Sequence, residues 1–65
     1  MIQWHQTLTR EQIARILGAE WIAMVEALPR AHALAFCASR ASGAWDANDR
    51  ESHAAYRSLS ILLAQ

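Results

Sequence analysis

Three histidines, one cysteine and a short run of carboxylates are the side chains here with the chemistry to bind a metal or move a proton. The histidines are His5, His32 and His53. Zinc needs donors that converge, as two histidines do at positions i and i+4 on one helical face, and none of the three is so placed. His32 and Cys37 stand five apart, which turns them about 140° from one another on a helix. No metal site is expected. Cys37 would act as a nucleophile only beside a base, in accessible and electropositive surroundings that lower its pKa. Its neighbours are Phe36 and Ala38, so it is expected to pack as a small buried hydrophobe. Asp46, Asp49, Glu51 and His53 cluster in sequence, but helix caps and first-turn acids account for the carboxylates. With only Gly18 and Gly43, the chain has no glycine-rich phosphate loop. These residues describe a protein that is not an enzyme and carries no cofactor.

Binding chemistry is better represented. Trp4, Trp21 and Trp45 are many tryptophans for 65 residues, and Trp is enriched at protein interfaces. The hydrophobic fraction is 54%, much of it alanine, against roughly 45–50% for an ordinary soluble chain. Six arginines balance six acids, for a formal net charge of zero, so no long-range field draws in phosphate or anionic lipid. Cys37 is alone, which rules out an intramolecular disulfide. The amino terminus lacks the basic and apolar regions of a secretory signal. No apolar stretch approaches the ~20 residues that span a bilayer. A reducing cytoplasm is the expected setting.

Helices must position these side chains. Residues 1–8 alternate apolar and polar, with Ile2, Trp4 and Leu8 against Gln3, His5 and Thr7, which suits a short extended arm. Thr9 followed by Gln12 three residues later has the form of a capping box. Ile13, Ile16, Leu17, Trp21, Met24, Val25 and Leu28 then recur at helical steps. The helix is expected to end near Ala27, because Leu28, the residue before Pro29, is pushed out of the helical region. Gly18 interrupts the stripe, leaving either one helix over 9–27 or two that turn at Gly18. Pro29 suits the first turn of the next helix. Its alanine-dense body lets two backbones approach closely, and Gly43 is its expected left-handed stop. A last helix starts within Asp46–Asp49, with Ala55, Tyr56, Leu59, Leu62 and Leu63 on its stripe and Ile61 off it. The fold expected is a small all-α, three-helix domain with a possible extra break at Gly18.

The segment LTREQIARILGAEWIAMVEAL resembles the helix-turn-helix units of bacterial and phage regulators. There, a Thr-capped helix carries a small residue four positions before a turn glycine, as Ala14 and Gly18 stand here. The resemblance covers about a third of the chain and implies DNA binding through residues 9–28, with Arg10, Arg15 and Arg30 as phosphate contacts. The recognition helix of such a unit presents polar and basic side chains to DNA, whereas here it reads Glu20, Trp21, Ile22, Ala23, Met24, Val25 and Glu26. That departure disfavours nucleic acid. A ribbon-helix-helix dimer, with Gln3, His5 and Thr7 in the major groove, ranks lower because the arm carries no basic residue.

A domain this small buries only about 60% of the surface its unfolded chain exposes. Surplus apolar side chains therefore point to self-association, as a homodimer, or to another protein partner. The expected contact residues are Trp21, Met24, Val25, Trp45 and Ile61. The function expected is that of a small inhibitor, adaptor or assembly factor.

Overall fold

The first helix begins where the capping chemistry places it. The Thr9 hydroxyl accepts the Gln12 N–H at 3.2 Å, and the Gln12 side-chain oxygen accepts the Thr9 N–H at 2.9 Å. This reciprocal pair satisfies two of the donors that a helix start leaves without partners. The computed structural model describes residues 7–65, in which four helices and no strand are found. They are α1 (Arg10–Leu17), α2 (Ala19–Glu26), α3 (Arg30–Asp46) and α4 (Arg50–Ala64). The expected arm lies mostly outside the described residues. Thr7 and Leu8 precede α1 without regular structure, and Leu8 is buried.

Of the two arrangements open at Gly18, the chain adopts the broken one. Gly18 has φ 92° and ψ 134°, a conformation that a residue with a side chain rarely adopts. Its N–H closes α1 on the Ala14 carbonyl at 2.8 Å, and its own carbonyl receives the Ile22 N–H at 3.2 Å. Breaking the helix resets the phase of everything after it. The stripe drawn through a continuous helix carries Met24 and omits Ile22, whereas α2 buries Ile22 and Val25 and leaves Met24 48% exposed.

Two boundaries of α3 also differ from expectation. Pro29 stands at the cap rather than inside the first turn. Gly43 does not stop the helix, which runs on to Asp46. The positive-φ residue that ends it is Asn48 (φ 61°), and Asn tolerates this region better than most residues because its short polar side chain bonds locally. The Asp49 N–H reaches back to the Ala44 carbonyl at 2.8 Å. Asp49 then caps α4 by accepting the Ser52 N–H at 3.1 Å, as the run of cap-competent residues predicts.

So short a turn makes α3 and α4 antiparallel neighbours. Their shared seam is built of small side chains: Ala33, Cys37 and Ala41 on α3, and Ala54, Ala55 and Ser58 on α4. Close backbone approach follows from that choice. Ile13, Ile22, Val25, Leu59 and Leu8 supply the larger part of the core. Ser58 is fully buried, and its hydroxyl accepts the Leu8 N–H at 2.8 Å. At the other end Arg30 donates to the carbonyls of Leu63 (2.9 Å) and Gln65 (3.0 Å), groups that a helix end leaves without partners. No described helix is long and apolar enough to cross a membrane.

Candidate functional site

The α3–α4 hairpin presents two faces, separated by its buried seam. On one, Phe36, Arg40, Gly43 and Ala44 recur at the three- and four-residue steps that align side chains on a helix. They face Asp49, Ser52 and Tyr56 at the start of α4, and with Ser39 they enclose an open groove of about 560 Å³. Two of the lining residues, Phe36 and Tyr56, belong to an aromatic cluster centred on Trp21. Trp21 of α2 packs against Phe36 at 5.6 Å between ring centroids and meets Tyr56 edge-on at 5.3 Å. The Arg40 guanidinium lies 5.1 Å from the centre of the Phe36 ring, within cation–π range. Asp49 brings one negative charge to the rim. Its carboxyl is held below the usual carboxylate range by the hydrogen bonds it receives from Ser52, the backbone N–H first.

The opposite face carries Trp45, half exposed at the end of α3. Arg50 stacks on its ring at 3.6 Å from the centroid, and the His53 ring lies 4.8 Å away. The His53 Nδ1 is 2.9 Å from the Ala41 carbonyl; a carbonyl only accepts, so the proton sits on Nδ1. His53 is thereby fixed as a brace for the tryptophan.

The side chains expected to contact a partner thus divide. Met24, Trp45 and Ile61 stand at the surface. Trp21 is half-buried and packs against Phe36 and Tyr56, which line the groove. Val25 is a correction: it has no exposed surface, because it packs into the chain's own core beside Ile22 and is not left for a partner. Of the three arginines, Arg10 pairs with Glu26 and Arg15 with Glu11, while Arg30 holds the end of α4. The groove was not found from sequence. Its signal was the spacing of Phe36, Arg40, Gly43 and Ala44, visible only once α3 is known to continue through Gly43.

Among the described residues no group of three or more His, Cys, Asp or Glu side chains is placed to hold a metal. Cys37 lies in the core, where burial raises its pKa against a smaller opposing effect of the Ser60 hydroxyl, the reverse of what a nucleophile needs. No family model, curated protein or solved structure matches the chain.

Proposed function

We propose that the chain is a small, non-enzymatic protein-interaction module that self-associates through exposed apolar helix positions and acts on another protein as an inhibitor, adaptor or assembly factor. The observation that carries this reading is the set of large apolar side chains left outside a core that is already closed. Trp45 and Met24 are about half exposed, at 50% and 48%, and Leu28 and Ile61 each stand at 36%. Full burial of an exposed side chain of this size contributes about 1.5–3 kcal/mol; covering the half or third still exposed on all four would together be a sizeable part of the stability of a domain this size. Trp45 is the anchor to test first, because Trp dominates interface hot spots and Arg50 and His53 already hold its ring in place. A reducing compartment suits this reading, since Cys37 packs as a free thiol.

Sedimentation velocity at two concentrations tests self-association. The expected result is a mass that rises with concentration and falls back to one chain in Trp45→Ala. A single-chain mass at every concentration would overturn it.

DNA binding through residues 9–28 has one observation in its favour, the division into two helices at Gly18. Against it, a helix-turn-helix unit joins its helices by a turn of three or four residues, and here one residue does so. The exposed positions of α2 are Ala19, Glu20, Ala23, Met24 and Glu26, which offer phosphate no cation. Titration against random duplex in a salt series separates the two readings, because phosphate-driven affinity falls steeply with salt.

A further inference from the structure

We infer that the groove between α3 and α4 receives an aromatic side chain flanked by a carboxylate, presented by a partner protein. This rests on the interaction-module reading and names the chemistry of the partner. Three observations converge. Two rings, Phe36 and Tyr56, stand in an otherwise polar lining of Ser39, Arg40, Asp49 and Ser52, and Trp21 packs against both, so the groove offers another ring edge-on or offset packing within a polar rim. Arg40 stands in that lining, and among the described residues no carboxylate lies within ion-pair distance of it. Its guanidinium, preorganised on Phe36, therefore offers its fork of donors outward, the geometry that takes a carboxylate with two bonds.

The third observation is Gly43. It lies inside a helix, where glycine is disfavoured, its φ is not positive, and a Cβ built there would meet no atom within 4 Å. Nothing inside the chain calls for a glycine at that position. Its missing side chain keeps the groove open, as a guest ring approaching the backbone requires. The openness also selects the kind of occupant. Small-molecule sites bury most of the ligand's surface, which an open groove does not, whereas a side chain delivered by a protein needs only one end covered. Asp49 at the rim disfavours a second carboxylate on the α4 side, so the partner's acid belongs beside Arg40.

The test uses the full chain, isotope-labelled and followed by NMR. It is titrated with the peptide acetyl-Glu-Phe-Glu-amide, with acetyl-Gln-Phe-Gln-amide as the uncharged control and phenylacetate as a free small ligand. The acidic peptide is expected to shift the resonances of residues 36–44 and 49–56 saturably. The control peptide and the Arg40→Gln variant should each weaken that binding about fivefold, the scale of an exposed charge pair. Gly43→Leu should abolish it; the added side chain enters open space, so circular dichroism should show the helices retained. Absence of saturable shifts, equal affinity for the two peptides, or undiminished binding to Gly43→Leu would overturn the inference. Tighter binding of phenylacetate than of the peptide would overturn the choice of a protein occupant. Sedimentation of the unsubstituted chain, set beside its peptide titration, keeps the two readings apart. Self-association that persists while the peptide fails to bind removes the groove alone, and peptide binding by a chain that never self-associates removes the homodimer alone.

Discussion

Two side chains in this protein titrate in opposite senses, and each shows how local surroundings set a chemical property. Asp49 accepts hydrogen bonds from Ser52 in its charged form, which lowers its pKa in the folded state. Its contribution to stability is present above the ordinary carboxyl pKa, near 3.9, and is lost as pH falls through the lower folded value. Asp49→Asn should retain the cap, since Asn caps as well as Asp, and should remove that part of the acid dependence in thermal melts between pH 2 and 5. Cys37 behaves in reverse. Burial raises its pKa, so its packing is fully favourable below the ordinary thiol pKa, near 8.5, and erodes as pH climbs from there toward the folded value. A thiol reagent such as dithionitrobenzoate should leave Cys37 unmodified in the native protein at pH 7.5 and react with one thiol per chain after denaturation. Rapid reaction of the native chain would contradict the burial seen here. The lone cysteine was legible as inert from its flanking Phe36 and Ala38. The partnership of Cys37 with Ser60 was not, because it joins two helices 23 positions apart.

Among the elements, the two glycines make opposite predictions even though a Cβ at either would meet nothing. Gly18 adopts a positive φ that only glycine holds easily, so Gly18→Ala should cost roughly 1–3 kcal/mol in chemical denaturation. Gly43 has ordinary helical geometry, so Gly43→Ala should stabilise the fold by about 0.5–1 kcal/mol. Equal effects of the two substitutions would mean that backbone conformation does not control them. This contrast also explains which parts of the fold were readable in advance. The capping box at Thr9 and the start of α4 depend on hydrogen bonds between residues three apart, the stop before Pro29 depends on a clash between adjacent residues, and the local sequence contains all the atoms involved. Whether a glycine breaks a helix depends instead on what lies beyond its neighbours. At Gly18 the break lets Ile22 and Val25 reach the core that Ile13 has begun. At Gly43 continuation carries Trp45, about half a turn beyond it, on α3 into reach of His53. The same ambiguity hid the groove, since its α3 side exists only if the helix continues.

For the whole molecule, the consequence of small size is a core with few large side chains. Ile13, Ile22, Val25 and Leu59 carry most of it, and Ala or Ser fills much of the α3–α4 seam. An Ile22→Ala substitution is expected to cost about 2–5 kcal/mol, comparable to the total stability of a 65-residue domain at roughly 0.05–0.15 kcal/mol per residue. Loss of the cooperative melt in that variant would agree with this; an unchanged melting temperature would not. Under the proposed self-association, Trp45→Ala, which also removes the contacts of its ring with Arg50 and His53, should lower the melting temperature more at concentrations where the chains associate than at those where they do not. The bond from the Leu8 amide to the Ser58 hydroxyl acts on the same scale, for it joins positions 50 apart. Closing so long a loop comes at a large entropic cost, and the adjacent α3 and α4 need no such closure to meet. The hairpin is therefore the natural early unit of folding and the Leu8 contact a late one. In hydrogen exchange the Leu8 amide becomes a single-site clock for the amino-terminal segment, and its rate measures how often that segment lifts from a hairpin that remains intact.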